Sequence, residues 1–375
     1  MKGLVICNKG IEDVAVQEVE EIIDEVGVVN DNVVIFDADV EKLAKLTYLA
    51  RSIRRTMMLL GRATISKKYD DLIPLITQLV KQIDSEEWME GKTFKVLCER
   101  IGDHDFSSQD VAEKVGELLL KKHKCNVAME DPIIKIYVFI NQYQMYLGVD
   151  FAGFDLSKRE YKLFSIGSSL NGALAYALLR IAKLKHNEVL LDPFCGPGII
   201  PIEAGLYLKN ISTNYYRKDK LWFTRFLKIN PSKFDKKFEP EAKVIAYDKL
   251  MNFMQATRKN SQIAGISKYL DVSKVDIEWL DTKLNQGQID KIVTKMPSLT
   301  KNTNDKDIEK IYREFFHQAD FILDEKGKII FVIQNDQFFK ECLAKISEMK
   351  KFEISKERDV MQGSMDLKVI TMKRM

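Results

Sequence analysis

Apolar and polar positions alternate over the first 65 residues in a way that predicts short strands and amphipathic helices. Compact apolar runs of this kind are typical of strands, and apolar positions three or four residues apart are typical of helices. The apolar runs cover residues 3–7, 33–36 and 57–65, and the helical patterns cover residues 11–23 and 40–51. Residues 1–65 are therefore predicted to form a small α+β domain.

A second α+β pattern extends over residues 66–153. Its predicted helix at residues 69–83 is followed by a strand at 94–101 and by a helix that begins after Ser107, a good N-cap residue. Two further strands, at 133–140 and 144–149, are joined by a three-residue turn. This order predicts a second domain of the same class.

Residues 154–167 lack any helical or strand periodicity. They contain Lys158, Arg159 and Lys162, together with the aromatic residues Tyr161 and Phe164. We interpret this segment as a linker with a basic face.

The pattern changes again from residue 168, where helices and apolar strands alternate to the end of the chain. Strands are predicted at 189–191, 244–247, 289–294 and 328–333, and helices at 170–184, 199–208, 252–264, 308–322 and 338–345. Such alternation predicts an α/β fold with a doubly wound, mostly parallel sheet of the Rossmann type over residues 168–375. The last apolar run, 366–372, is predicted to be a strand at the edge of the sheet.

The amino-acid composition limits the kinds of surface and site that the protein can have. The 58 basic and 55 acidic residues nearly cancel, so any nucleic-acid surface must be local. The five scattered cysteines show no C-x-x-C spacing, and the four histidines show no metal-ligand spacing, which argues against a disulfide framework and against a metal site. No uncharged apolar run approaches the ~20 residues that span a membrane. We expect a soluble cytoplasmic protein with no membrane partner.

The segment from Val189 to Gly198 carries the sharpest chemical signal. An apolar strand ends at Asp192 and is followed by a turn with Gly196 and Gly198, then by a helix. Glycines allow backbone N–H groups to approach a ligand at the carboxyl end of a strand, where doubly wound sheets bind cofactors. A tight turn without a ligand is the alternative, and the Asp-Pro-Phe-Cys run before Gly196 favours the cofactor site.

Acidic residues also follow the next two apolar segments. Asp248 ends the run 244–247 and can accept hydrogen bonds from ribose hydroxyls, while it can also cap the following helix. Asp276 is a candidate acceptor for an adenine amino group, although Asp271 and Asp281 compete for that role.

These residues resemble a known family. The run 192–198 with Asp248 is similar to the cofactor site of class I S-adenosylmethionine-dependent methyltransferases. The helix segment 168–180, which includes Asn171, resembles the one that precedes this site in RNA methyltransferases with a THUMP domain. Residues 94–108 and 149–161 look like a THUMP domain and its linker. The resemblance covers nearly the whole chain in the family's domain order.

The resemblance implies a function for the protein and a role for each domain. It implies transfer of a methyl group from S-adenosylmethionine to a base of tRNA, most often guanine, at an exocyclic or a ring nitrogen. The N-terminal ferredoxin-like domain, residues 1–65, and the THUMP domain, residues 66–153, would hold the acceptor end of the RNA. Residues 154–167 and 168–375 would be the linker and the methyltransferase domain. The implied cofactor contacts are Asp192, Phe194, Gly196, Gly198, Asp248, Asp276 and Asn171.

The catalytic segment departs from the family pattern of Asn or Asp, Pro, Pro, then Tyr or Phe. Here Lys295, Met296, Pro297 and Ser298 follow the fourth strand, so one proline is kept. Lys295 offers donors where Asn offers an acceptor, and Ser298 cannot stack on a base that is flipped out of its helix. Three hypotheses remain open. Lys295 donates to an acceptor such as guanine O6 while a ring nitrogen is methylated; or an amine is methylated with acceptors from the backbone or Asp290; or the protein binds RNA without catalysis.

Basic residues supply candidate RNA contacts. The stretch 215–237 interleaves eight basic residues with aromatic ones, which favours phosphate contact and base stacking, or else an insertion whose aromatics pack inward. The candidates for RNA contact are Arg100, Lys121, Lys122, Lys158, Arg159, Arg217 and Lys218. Whether a protein partner is needed stays open.

Overall fold

The computed structural model describes residues 1–236, 238–239, 243–299 and 303–375. Lys237, the last residue of the predicted basic stretch, lies outside the described residues. Contacts divide the chain into two compact units. The first consists of Met1–Ile6, Val16–Leu156 and Asn214–Phe234, and the second of Cys7–Ala15, Ser157–Thr213 and Asp235–Met375.

The amino-terminal elements follow the predicted alternation of strands and helices. The strands are β1 (Lys2–Cys7), β2 (Val28–Asn30), β3 (Val33–Asp37), β4 (Ile53–Thr64), β5 (Thr93–Ile101), β6 (Asn126–Val127), β7 (Ile134–Asn141) and β8 (Gln144–Asp150). The helices are α1 (Glu12–Ile23), α2 (Val40–Leu49), α3 (Tyr69–Gln82), α4 (Glu86–Met89) and α5 (Ser108–Lys122). Ser107 caps α5, as its sequence predicts, by accepting a hydrogen bond from the Asp110 amide.

These strands form one sheet in the order β2-β3-β1-β4-β8-β7-β5-β6. Strand β4 comes from the first predicted α+β domain and pairs antiparallel with β8 of the second. The two patterns therefore share a sheet, and the limits at residues 65 and 153 stay predictions about folding domains. Because β4 and β8 are strands, each supplies side chains to both faces of the sheet.

The segment Asn214–Phe234 packs within the first unit. The amides of Trp222 and Phe223 donate to the carbonyls of Ala152 and Phe151, at 3.1 and 2.9 Å. Phe223 is fully buried, and its ring centroid lies 6.3 Å from that of Phe151. Inward packing of the aromatics, one of the two alternatives for this stretch, is thus confirmed for Phe223.

The carboxyl-terminal elements again alternate. The strands are β9 (Leu190–Asp192), β10 (Val244–Asp248), β11 (Leu270–Lys274), β12 (Ile289–Lys295), β13 (Leu323–Ile333), β14 (Phe352–Gln362) and β15 (Met365–Arg374). The helices are α6 (Gly172–Ile181), α7 (Ile199–Leu208), α8 (Met251–Ile263), α9 (Asp305–Ile322) and α10 (Asp336–Lys345).

Their sheet has the order β11-β10-β9-β12-β13-β15-β14. The first five strands are parallel, and β15 and β14 run antiparallel to their neighbours. The predicted mostly parallel sheet is confirmed. The prediction that the last strand lies at the edge is wrong, because β15 pairs with β13 on one side and with β14 on the other.

Helices cover both faces of this sheet. On β10, Ile245 belongs to a buried cluster with Phe315 and Phe316 of α9, whereas Ala246 belongs to one with Met254 of α8. Successive strand residues point to opposite faces, so α9 and α8 lie on opposite sides. This is the doubly wound arrangement that the sequence predicts.

Two kinds of feature are absent from the described residues. No helix among them combines the length and the apolar character needed to cross a bilayer. In the same part of the chain, no group of three or more His, Cys, Asp and Glu side chains is arranged to hold a metal ion.

Candidate functional site

The turn after β9 is built for close approach of a ligand. Gly196 and Gly198 have φ angles of +51° and +87°, which glycine adopts without strain. A Cβ on Gly198 would lie 2.6 Å from the Thr257 side chain, whereas one on Gly196 would meet no atom within 4 Å. Gly198 is therefore required by packing and caps α7, while Gly196 leaves open space beside the turn.

Two polar side chains of α8 hold this turn. The Thr257 hydroxyl donates to the Gly196 carbonyl at 2.8 Å, and the Asn260 amide donates to the Pro197 carbonyl at 3.0 Å. The Cys195 amide donates to the Tyr247 carbonyl of β10 at 3.0 Å. The turn is thus fixed by groups that the sequence pattern did not single out.

A cavity of about 430 Å³ opens at the carboxyl edge of β9, β10 and β12. The turn residues Phe194 and Gly196 line it together with Asp192, Asp248 and Asp276. Lys295, Pro297 and Ser298 line it from the end of β12, and Phe253, Val275 and Ile277 add apolar surface. The fold therefore brings most of the predicted cofactor residues and three of the predicted catalytic residues to one cavity.

Asp192 is the buried charge of this cavity. It is 1% exposed, and its Oδ1 accepts hydrogen bonds from the Thr294 hydroxyl at 2.6 Å and the Phe194 amide at 3.2 Å. Burial raises the pKa of Asp192 to about 7, and the nearby charge of Asp248 also raises it. A cationic ligand would favour the ionised form of Asp192.

Asp248 has a similar environment. Its two carboxylate oxygens accept from the amides of Gly196, at 3.1 Å, and Leu250, at 2.9 Å. Burial is the main cause of its raised pKa, and the charge of Asp276 adds to the shift. The three carboxylates make this side of the cavity acidic.

Lys295 lines the cavity from the end of β12. Its Nζ donates to the Ser168 carbonyl, and burial lowers the pKa of the Lys295 amine. The Pro297 carbonyl accepts from the Tyr312 hydroxyl at 2.8 Å, and the Ser298 hydroxyl donates to the Met296 carbonyl at 3.4 Å. The segment after β12 is thus held by hydrogen bonds at both of its ends.

Three of the predicted catalytic and cofactor residues, Asp290, Asn171 and Gly198, are absent from the cavity lining. Asp290 is at the start of β12, where its carboxylate accepts from the Val189 amide at 2.7 Å. Lys295 lies five positions further along the same strand, a distance of about 16 Å. Asn171 caps α6 by accepting from the Leu174 amide at 2.8 Å and is absent from the cavity lining. The catalytic prediction for Asp290 is therefore corrected to a structural role. The cofactor prediction for Asn171, which directly follows the cavity residue Leu170, stays a prediction.

Two predicted RNA contacts are buried inside the protein. Arg159 is 5% exposed and pairs with Glu203, and Arg217 is 5% exposed and donates to Asn214 Oδ1 at 2.8 Å. The RNA-contact prediction is corrected for Arg159 and Arg217, because their charged groups are satisfied internally and are shielded from solvent.

The other five basic candidates have partly or fully exposed side chains. Lys158 is exposed, Lys121 is exposed and pairs with Glu117, and Arg100 and Lys218 are half-buried. Lys122 is exposed as well, and its ammonium donates to carbonyls at the end of α3, including that of Val80 at 2.9 Å. The RNA contacts of these five residues stay predictions.

Comparison with known proteins places both parts of the chain in known families. A family model described as the RMKL-like methyltransferase domain matches residues 159–366, and a THUMP domain model matches residues 73–150. The chain is 28% identical to the tRNA (guanine(6)-N2)-methyltransferase of Methanocaldococcus jannaschii, over 98% of this chain and 99% of that protein.

Solved structures share the fold. TrmN from Thermus thermophilus aligns over 100% of this chain and 99% of its own, with a TM-score of 0.74 and 21% identity. The protein SMU.472, crystallised with S-adenosylhomocysteine, aligns over 100% of this chain and 98% of its own, with a TM-score of 0.81 and 16% identity. Since the methyltransferase model covers more than half of the residues, the chain belongs to the RMKL-like methyltransferase domain family and carries a THUMP domain before it.

Proposed function

We propose that this protein transfers a methyl group from S-adenosylmethionine to the N2 amine of a guanine in tRNA. The observation that carries the proposal is the acidic cavity beside Gly196, in a chain that aligns end to end with a relative named for this reaction. Position 6 of tRNA, which appears in that relative's name, is the first nucleotide to test. The reaction would take place in the cytoplasm, as predicted.

The cavity fits S-adenosylmethionine by its shape and its charge. The open space at Gly196 admits the backbone of a ligand, and Asp192 would pair with the ligand's amino group. Asp248 would accept from ribose hydroxyls and Asp276 from the adenine amine, while Phe253 and Ile277 offer apolar surface to the adenine ring. When bound, S-adenosylmethionine supplies an electrophilic methyl group.

Lys295 is our candidate for orienting the target base. A lysine ammonium has three donors, and the Ser168 carbonyl takes one of them, so two remain for an acceptor such as guanine O6. Pro297 and Ser298 would border the same base. Methyl transfer would then depend mainly on holding the amine in line with the methyl group, with the proton released to water.

The basic residues that stay accessible are proposed to contact the RNA backbone. They are Arg100, Lys121 and Lys122 in the THUMP segment, Lys158 in the linker, and Lys218 in the insertion. Each would add to an affinity that falls with increasing salt.

The proposed function is tested with unmodified tRNA transcripts and labelled S-adenosylmethionine. We expect N2-methylguanosine at position 6 by nucleoside mass spectrometry and no product when inosine replaces that guanosine, because inosine lacks the amine. Methylation of N1 would contradict the exocyclic assignment. Tight tRNA binding without any product would favour the non-catalytic RNA-binding alternative.

The corrected role of Asp290 makes a separate prediction. Asp290→Ala removes the acceptor of the Val189 amide and should lower the free energy of unfolding by about 1 kcal/mol. The kcat for methylation should stay within about twofold of the wild-type value, since Asp290 lies outside the cavity. Denaturant unfolding and a saturating methylation assay measure the two effects. A stable variant with a large loss of kcat would restore Asp290 to the catalytic site.

A further inference from the structure

The segment Lys162–Leu170 presents apolar side chains to solvent next to the cavity. Leu163, Phe164 and Ile166 are 69%, 41% and 42% exposed. Ile166 also lines the cavity. Neighbouring exposed apolar side chains beside a binding site often mark a surface that contacts a partner.

The backbone of this segment is held firmly despite that exposure. The Phe164 amide donates to Asn260 Oδ1 at 3.1 Å, and Asn260 Nδ2 donates back to the Phe164 carbonyl at 2.8 Å. Asn260 is 1% exposed and also holds the Pro197 carbonyl of the cofactor turn. One buried amide therefore ties Phe164 to the turn beside the cavity.

Both ends of the segment are anchored as well. Lys162 Nζ donates to the Leu170 carbonyl at 2.7 Å, and Lys295 Nζ donates to the Ser168 carbonyl. A rigid backbone lowers the conformational entropy that a ligand must overcome when it contacts the side chains.

A cation accompanies the exposed ring. Lys259 Nζ lies 4.8 Å from the centroid of Phe164, and the Lys259 side chain is itself exposed. Lys259 thus covers one face of the ring. An aromatic ring that carries an exposed cation on one face matches an unpaired nucleotide, whose base stacks on the face away from Lys259 while its phosphate meets the ammonium. Lys158, also exposed, lies in the same stretch of sequence and adds positive charge.

We propose that Phe164 is a stacking platform for an unpaired nucleotide of the substrate RNA, adjacent to the base that enters the cavity, with Lys259 contacting the phosphate. This proposal rests on the proposed function and deepens it, because it assigns an RNA contact in the methyltransferase domain. Neither the predicted RNA residues nor the cofactor residues include Phe164 or Lys259.

The test measures affinity of the full-length protein for a fluorescently labelled, unmodified tRNA transcript. Phe164→Ala and Phe164→Leu should each weaken binding by about tenfold, because base–aromatic stacking has this magnitude. Phe164→Trp should stay within about twofold of wild type. Lys259→Ala should reduce the steepness of the salt dependence by about one phosphate contact.

Phe321 supplies a matched control. It is 40% exposed, close to the value for Phe164, and lies near the end of α9 outside the cavity lining. Phe321→Ala should leave tRNA affinity unchanged, and S-adenosylhomocysteine affinity should stay unchanged in every Phe164 variant. The leucine variant keeps apolar packing, so it tests stacking even if the alanine variant is unstable.

Three binding results would contradict the proposal that Phe164 stacks on a nucleotide of the RNA. They are equal tRNA affinity in all Phe164 variants, wild-type affinity in Phe164→Leu, or an equal loss in Phe321→Ala. Because the readout is binding, it is independent of turnover. Absence of methylation by the wild-type protein would refute the proposed function, while the Phe164 series would still decide the RNA contact.

Discussion

Replacing Asp192 by asparagine is expected to weaken the binding of S-adenosylhomocysteine by about 100-fold and to stabilise the ligand-free protein above pH 7. The loss of affinity corresponds to about 3 kcal/mol, the upper end for a hydrogen bond to a charged group. An amide oxygen can still accept from Thr294 and Phe194, so the turn itself should persist. The variant loses the negative charge that the carboxylate presents to the ligand.

The gain in stability follows from the pKa of Asp192. Its folded value of about 7 exceeds the value of about 3.9 expected in the unfolded chain. A raised carboxyl pKa contributes stability that is complete below pH ~4 and is lost as the pH rises through 7. The asparagine side chain does not titrate, so the stability of Asp192→Asn relative to wild type should grow from pH 4 to 7 and then level off.

Calorimetric titration with S-adenosylhomocysteine and urea unfolding at pH 5 and pH 8 measure both effects. Asp290→Asn is the matched control, because it makes the same change on the same sheet but outside the cavity. Wild-type ligand affinity in Asp192→Asn would contradict the assigned role. A stability difference between Asp192→Asn and wild type that does not increase in favour of the variant from pH 5 to pH 8 would contradict the argument from burial.

Replacing Arg159 by methionine is expected to lower the free energy of unfolding by about 3–5 kcal/mol. The Arg159 and Glu203 side chains are both fully buried, with Nε 2.7 Å from Oε1, and the Tyr161 hydroxyl donates to the same Oε1 at 2.6 Å. Removing the guanidinium leaves a buried carboxylate without its cation, which is far more costly than losing an exposed pair.

Two further variants make this prediction specific. Arg159→Met combined with Glu203→Gln should recover a large part of the stability, because the uncompensated charge is then absent. Lys158→Met, at the neighbouring exposed position, should change the free energy of unfolding by no more than about 0.5 kcal/mol. Urea unfolding measures all three. A stable Arg159→Met protein with selectively weakened tRNA binding would instead support the predicted RNA contact.

The contrast between Lys158 and Arg159 shows a limit of sequence reasoning. Both residues stand in one basic linker, and the pattern predicts RNA contact for both. Arg159 is buried because Glu203, 44 positions along the chain, completes a charge pair with it. Arg217 is buried beside Asn214, a polar residue that no hydrophobic pattern marks.

Pairing between strands also determines which strands form the edges of a sheet and which strands share one sheet. Strand β14 has few buried residues and carries Lys356, Glu357, Arg358 and Asp359, so its apolar pattern is too weak to predict a strand. It forms because β15 offers an edge with which it pairs over ten residues. Similarly, the pairing of β4 with β8 joins two sequence patterns in one sheet.

Local patterns along the chain predict the elements and the cofactor turn. Apolar periodicity predicts α7, β10 and α9, and the order of Asp192, Gly196, Gly198 and Asp248 predicts a ligand site at a strand end, because both signals are local along the chain. Which charges remain accessible is a property of the tertiary structure alone. Burial of the Arg159 charge depends on Glu203, a partner distant in sequence that folding brings to within 2.7 Å of it.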